Sequence, residues 1–564
     1  MAALNPGGLQ FTDESTRVAH FIGIDIGTSG VKALLVDEAG RVVAAASRSY
    51  PLYTPQPGWA EQDPEDWMQA TVASIGDLLC QAGRSIPVRA LSFSGQMHGA
   101  VLIDSRGEVV RPAILWCDVR TQPECEEITA AVGRDELLRR TGNPALAGFT
   151  APKLVWLRKH EPQNLDRAAT LLLPKDYVRY RLTGEMAMDL SDAAGTLLLD
   201  VGRGRWDTGL AELLGLRPSL LPPLVASHEV AGRLTAEAAA ATGLPAGIPV
   251  VAGGADNACG AVGAGVVQAG QGLVSIGSSG VVLVQSDRFR IDPGGRIHSF
   301  SHAVPNAWYL MGVMLSAGLS YAWLRDQVVR GGQGRPGAPG MPDVPGLPGE
   351  PDGQEATGGQ ATVYELMDAE AARVRPGSDG LFFLPYLNGE RTPHADPFAR
   401  GGWIGLALDH TRAHLVRAVM EGVAYRLRDS LELIRPLVSG DGTAGGTESK
   451  GATGDVGSGI GPLRAIGGGA KSPVWRQILA DVLGVPLEIP AVDEGPAYGA
   501  ALLAAVGAGA FPGVAEAARA CVRVKSTVEP NAAHQARYDE GYAVYRRLYP
   551  ALAQIFPAMV NLAR

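Results

Sequence analysis

The chain has 564 residues, with 49 basic and 58 acidic side chains and a formal charge of −9. At about 150 residues per domain this predicts three or four domains, or two large lobes, and a chain so long needs no disulfide or metal staple to bury a core. With 46% apolar and 19% charged residues it reads as globular and mildly acidic, which excludes a dedicated nucleic-acid binder.

The five cysteines (Cys80, Cys117, Cys125, Cys259, Cys521) are odd in number and form no CxxC pair. No disulfide framework or zinc site is implied, which suits a reducing cytoplasm. Residues 1–17 lack a basic region followed by an apolar one. They are expected to be a loose extension and not a secretory signal. Residues 257–286 carry no charge but are rich in glycine, with Gln268 and Gln271 among them. They read as buried backbone and not as a membrane span.

In chain order, His20–Ile26 alternates as a strand. Gly27-Thr28-Ser29-Gly30 breaks it. Val31–Val36 is a second strand, 37–40 a turn, and Arg41–Ala46 a third strand. This is an antiparallel meander. A helix follows around Asp66–Leu79, then strands around Val88–Phe93 and Ala100–Asp104, so the class is α/β. Ile26-Gly27-Thr28-Ser29-Gly30 recurs as Ile276-Gly277-Ser278-Ser279-Gly280, again between apolar runs. The echo predicts two similar lobes facing a cleft, divided as 18–265 and 266–564. Residues 331–359 and 439–461 are dominated by Gly with Pro, or by Gly with Thr and Ser. They are expected to be mobile surface insertions in the second lobe.

Five motifs carry chemistry. In Asp25-Ile26-Gly27-Thr28-Ser29-Gly30, followed by Lys32, a tight turn presents N–H groups and hydroxyls to an anion. Asp25 at the strand end suits Mg²⁺; an ordinary glycine hairpin is the alternative. Gly277-Ser278-Ser279-Gly280 would face that turn across the cleft. Ile466-Gly467-Gly468-Gly469-Ala470-Lys471 leads to Ser472, Pro473 and a helical apolar face ending at Gly484. Ser472 suits the N-cap, Pro473 the first helical position and Gly484 the C-terminal stop. Ala470 before the lysine rules out a P-loop. Val250–Asn257 ends a β run in Gly253-Gly254-Ala255-Asp256. An Asp there suits a base for phosphoryl transfer, or a turn residue or helix cap. Ser94-Gly95-Gln96-Met97-His98-Gly99 with Trp116 offers polar donors beside an indole face, as a polyhydroxylated ligand requires; a structural histidine is the alternative.

Together these residues resemble the FGGY carbohydrate kinases, and within them the branch that phosphorylates D-xylulose. The resemblance runs from about Phe21 to Leu548. It rests on IGIDIGTSGVKALLVD, WAEQDPEDWMQA, SGQMHGAVLID, GFTAPKLVW, LLPKDYVRYRLTGE, SDAAGTLLLDV, NGERTPHADP and IGGGAKSPVWRQILADVLG. It implies two ribonuclease-H-like lobes of the actin-like ATPase type around a central cleft. It implies ATP and Mg²⁺, with Asp256 as catalytic base and Met97, His98, Asn257 and Trp116 at the sugar. It implies nucleotide contacts from Asp25, Thr28, Gly277, Ser278, Gly468 and Gly469, with Asp25 also at the metal. Neither nucleic acid nor membrane is implied, and a homodimer is left open. Other ketose or polyol kinases, such as ribulokinases, and a non-catalytic ATP-binding switch are the alternatives. Cys117, Ala255, Ser278 and Pro473 depart from the commoner family residues, and none removes a group that the mechanism requires.

Overall fold

The computed structural model describes residues 18–83, 86–329, 362–439 and 459–562. The expected N-terminal extension and the 331–359 insertion lie outside the described residues, as does most of the 439–461 insertion.

Alternation of apolar side chains sets up the first sheet. Its strands are β1 (His20–Ile26), β2 (Gly30–Asp37), β3 (Val42–Ser49), β4 (Val88–Gly95), β5 (Val230–Arg233), β6 (Pro249–Val251) and β7 (Gly254–Ala255). The order is β5-β6-β4-β1-β2-β3, with β7 beside β4. The second sheet has β8 (Gly272–Ile276), β9 (Gly280–Ser286), β10 (His298–Ser301), β11 (Trp308–Met314), β12 (Leu463–Ile466), β13 (Leu487–Pro490) and β14 (Val524–Val528). Its order is β10-β11-β9-β8-β12-β13-β14.

These orders are the same design used twice. From β3 to β5 the pairings run antiparallel, antiparallel, parallel, parallel, antiparallel. From β11 to β14 they run in the same sequence. The five-residue echo therefore marks a repeated sheet, and in each copy it sits in the hairpin that opens the sheet.

Six helices matter to the site. They are α1 (Pro64–Ala82), α2 (Pro174–Thr183), α3 (Asp256–Gly263), α4 (Gly318–Leu324), α5 (Pro473–Leu483) and α6 (Pro496–Gly507). The Asp63 side chain caps α1 by accepting from Glu65 N, and Trp67, Thr71, Ile75 and Leu78 form its buried face. Ser472 caps α5 by accepting from Trp475 N, Pro473 opens it, and Gly484 ends it in the left-handed region at φ 67°. The caps read from the sequence are the caps found.

Helix α6 is apolar on every side, the pattern of a fully enclosed helix. Although it lies late in the chain, it packs on β1 and β4 of the first sheet and on α3. Small residues permit this. A Cβ on Gly23 would collide with Ala497 O, and one on Gly499 would collide with Cys259 O. The backbones of α3 and α6 thus meet directly, against the first sheet.

Candidate active site

Parallel strands carry ligands at their carboxyl ends, and here three neighbouring ends converge. Asp25 on β1 lies opposite Ser94 on β4, and Ile26 opposite Gly95. On the other side of β4, Gly254 pairs with Ser94 and Ala255 with Gly95. Asp25 and Asp256 are therefore presented by strand ends that flank the same strand, and Met97 and His98 follow directly from that strand.

Asp256 opens α3. Its Oδ1 accepts from Asn257 N at 2.6 Å and from Asn257 Nδ2 at 2.8 Å. Among the described residues its Oδ2 accepts nothing. One carboxylate oxygen is thus anchored and the other is available to an incoming hydroxyl. Burial, and next the Asp25 charge, push the Asp256 carboxyl up to about 7. Asp25 is pushed up to about 6 by burial, opposed by the neighbouring Ser94 hydroxyl and by Lys32. A carboxyl with its pKa near neutrality is suited to general-base work.

Asn257 is engaged with Asp256, and its Nδ2 also approaches Met97 Sδ at 3.9 Å. Met97 is buried. His98 has a backbone φ of 69°, the left-handed region that non-glycine residues rarely adopt. Its carbonyl accepts from Thr150 Oγ1 at 3.1 Å and Lys153 Nζ at 2.8 Å, which hold this conformation. His98 Nδ1 lies 2.6 Å from Gly195 O. A carbonyl only accepts, so Nδ1 carries the proton and Nε2 is left as an acceptor for a hydroxyl. Burial first, and then Lys153, hold His98 down at about 3, so the ring is neutral. Phe149 packs against it with ring centroids 4.5 Å apart.

Trp116 connects this side to the first turn, since its Nε1 donates to Thr28 Oγ1 at 2.8 Å. Thr28 Oγ1 in turn donates to Gln96 Oε1 at 3.3 Å. The Thr28 hydroxyl is engaged within the protein, which leaves the turn's backbone and the Ser29 hydroxyl to meet an anion. No described group accepts from the N–H of Thr28 or Ser29. The carbonyls behind them are held: Gln62 Nε2 donates to Thr28 O at 2.7 Å, and the Tyr50 hydroxyl donates to Gly27 O. Gln62 is fixed by Trp67 Nε1 and by Gln96 Nε2, both at 3.0 Å.

The second turn is supported from behind by α4. Ala317 N and Leu319 N donate to Ser278 O at 2.9 and 3.1 Å, and Gly318 N donates to Gly277 O at 2.8 Å. The adjacent parallel strand β12 delivers the glycine turn 467–469 against Ile276. Gly467 has φ 87°, and a Cβ on Gly469 would collide with the Ile276 side chain. Gly277, Ser278, Gly468 and Gly469 thus lie together, and no described group accepts from the N–H of any of them. Outward-facing unpaired backbone donors of this kind form an anion nest.

Several contributors carried no signal that single-residue chemistry could detect. Gln62, Gln96 and Lys153 work by holding carbonyls. Asp493 accepts from Gly467 N at 3.0 Å. Beside it, Glu494 pairs with Lys32 at 2.7 Å and so reaches the first hairpin. Arg391 shifts the titration of both His98 and His298, which places a guanidinium at the sugar-side residues from the second half of the chain. Its motif, NGERTPH, was legible, but its reach across the chain was not.

A buried Asp25 Oδ1 without a hydrogen-bond partner fits a small hard cation, since Mg²⁺ is commonly held by one or two carboxylates together with substrate phosphates. Among the described residues no group of three or more His, Cys, Asp or Glu side chains could hold a metal by itself. No described helix is long and apolar enough to cross a membrane.

The twice-used sheet, with a glycine turn at each opening hairpin, defines an actin-like ATPase fold with a kinase-type site. Comparison with known proteins agrees. The N-terminal domain of the FGGY family of carbohydrate kinases matches residues 20–263 and its C-terminal domain matches residues 272–508. A xylulose kinase of Bacillus subtilis is 39% identical over 94% of this chain and 96% of its own. One of Escherichia coli is 40% identical over 96% of this chain and 100% of its own. The crystal structure of xylulose kinase from Rhodospirillum rubrum superposes with a TM-score of 0.81 at 34% identity, covering 95% of this chain and 99% of that one. The chain belongs to the FGGY family of carbohydrate kinases.

Proposed function

We propose that the protein transfers the γ-phosphoryl group of ATP to the C5 hydroxyl of D-xylulose. Asp256 Oδ2 takes the hydroxyl proton as the C5 oxygen bonds to phosphorus, the bond from phosphorus to the bridging oxygen breaks, and ADP leaves. Asn257 holds Oδ1 and so aims Oδ2 at the substrate. Neutral His98 accepts a sugar hydroxyl at Nε2, with Met97 and Trp116 as apolar walls. The backbone donors at 28–29, 277–278 and 468–469 bind phosphate oxygens. Asp25 would hold Mg²⁺, which when bound screens the charge on the phosphates. The lobes, taken as 18–265 and 266–564 with α6 crossing to the first sheet, close to exclude water. A cytoplasmic setting accords with the acidic, cysteine-poor composition.

The observation that carries this reading is the pair of raised carboxyls, Asp25 and Asp256, flanking the strand that leads into Met97 and His98. The test is coupled ADP release with ATP, Mg²⁺ and, separately, D-xylulose, L-ribulose, D-ribulose, gluconate and glycerol. Rapid release with D-xylulose alone supports the assignment. Release with another member of the panel moves the substrate and keeps the mechanism. Slow release that ignores every sugar overturns the kinase reading.

A further inference from the structure

Helix α3 begins without a side-chain cap, because the residue before it is Ala255. Its position must be set from outside. Ala255 N donates to Ser191 Oγ at 3.0 Å. That hydroxyl cannot turn away, since it donates to Asp189 Oδ2 at 2.5 Å. The same carboxylate oxygen accepts from Ser191 N at 2.9 Å and Ser227 Oγ at 2.8 Å. The other oxygen of Asp189 lies 2.8 Å from Lys175 Nζ, on α2. Lys175 also meets Asp176 at 2.7 Å and Asp192 at 3.4 Å. All of these residues except Ser227 are 0% exposed, and Ser227 is 2% exposed. The seat is tight, for a Cβ on Gly254 would lie 2.9 Å from Ser191 Oγ.

A buried ionic cluster is weak evidence for stability, but a hydroxyl fixed at both ends defines a position. This one ends one residue before Asp256. Two cations, Lys175 and Arg179, face the three acids Asp176, Asp189 and Asp192, with Arg179 3.3 Å from Asp176. Neither Asp192 oxygen has a hydrogen-bond partner. Burial, opposed by Lys175 and reinforced by Asp176, Asp189 and Asp256, raises the Asp192 carboxyl well above the usual carboxylate range. Tyr309 faces the same group from β11.

We propose that Ser191 is a positioning residue for the catalytic base: through the Ala255 N–H it fixes the first turn of α3, and Asp189 with Lys175 holds its hydroxyl in the accepting orientation. This rests on the reading of Asp256 as base. Ser191 touches neither substrate nor reacting atoms, so its loss should affect kcat and not binding.

The experiment compares Ser191→Ala, Ser191→Thr and Ser227→Ala in the full chain with D-xylulose and MgATP. Misplacement of a reacting group by a fraction of an ångström to one ångström costs up to about 10²-fold, so Ser191→Ala should lose about 10- to 100-fold in kcat. KM for both substrates and the calorimetric sugar affinity should stay within about twofold, the signature of an interaction that matters only in the transition state. Ser191→Thr, which restores the hydroxyl, should recover most of the loss, and Ser227→Ala should behave as native. Native-like kcat in Ser191→Ala, or a loss shared by KM and not recovered by threonine, overturns the proposal. If Ser191→Ala does not fold, Ser191→Cys, near-isosteric and a poor acceptor, must show the same kcat loss, and native kcat there overturns it. Asp256→Ala separates the two readings: if it turns over normally, the base assignment has failed first.

Discussion

The two echoed hairpins, 26–30 and 276–280, share five residues of pattern and differ in what lies around them. Two residues before Gly27 stands Asp25; the equivalent residue before Gly277 is Ser275. The first hairpin pairs Ile26 with Val31, and the second pairs Ile276 with Gly280, so the second turn is one residue tighter. The first turn is supported by side chains, Gln62, Gln96, Tyr50 and Trp116. The second is supported by backbone N–H groups of 317–319. The repeat thus presents a similar glycine turn twice, while only the first copy carries a carboxylate two residues before it, Asp25, which also raises the titration of Asp256. The first copy is read as the site of chemistry and the second as a phosphate cradle.

The largest effect expected is at Asp256. Removing a general base costs about 10²- to 10⁴-fold, so Asp256→Ala should lose turnover by about that factor while retaining sugar binding by calorimetry. Asp25→Asn should come next. It removes the proposed cation ligand, lowering kcat and raising the Mg²⁺ concentration needed for half-maximal rate. Ser275→Ala, at the equivalent place in the second hairpin, should change neither. If Ser275→Ala matched Asp25→Asn, the contrast between the copies would be wrong.

The glycine turn against the second hairpin gives a finer test. Gly469→Ala drives a Cβ into Ile276, whereas a Cβ on Gly468 meets nothing within 4 Å. Gly469→Ala should raise KM for ATP and leave KM for the sugar unchanged. Gly468→Ala should be milder in both. Equal effects would separate the turn from the nucleotide.

The pH dependence sharpens the first copy. Asp256 must be ionised to accept a proton, so kcat/KM should fall as pH drops below about 7. Asp25→Asn removes a negative neighbour and should move that limb to lower pH. Stability should run the opposite way. A carboxyl raised in the fold is protonated there above its unfolded value of about 3.8. Its contribution is fully present below that value and is lost as pH rises through about 7. Asp256→Asn, which mimics the neutral acid, should therefore gain more thermal stability over the native protein at pH 8 than at pH 5. A gain independent of pH would contradict the raised carboxyl.

Much of this was legible in the sequence, for local reasons. The meander at 20–49, the echo, and the Ser472–Gly484 helix with its caps are written in alternation, glycine and capping chemistry over a few residues. The candidate residues fall in two groups by strand, Asp25, Met97, His98, Asp256 and Asn257 around β1, β4 and β7, and Gly277, Ser278, Gly468 and Gly469 around β8 and β12. What was not legible depends on pairing far along the chain. Helix α6 reads as a generic apolar helix, and nothing local says it lies on β1. Gln62 and Gln96 are neutral amides whose role exists only once 34 residues of separation are folded away. Thr28 was expected to offer its hydroxyl to phosphate, and Trp116 and Gln96 claim it instead. Lys175 and Ser191 sit in stretches that carried the family resemblance and Asp189 lies between those stretches, yet the joint hold of Lys175 and Asp189 on Ser191 follows from burial alone.

The most direct test of the account is the rate of ADP release with D-xylulose for the native protein and Asp256→Ala side by side, with sugar affinity measured on both. The native protein should show rapid, sugar-dependent release, the folded variant should be about 10²- to 10⁴-fold slower, and the two should bind the sugar with similar affinity. Near-native release by folded Asp256→Ala would contradict it.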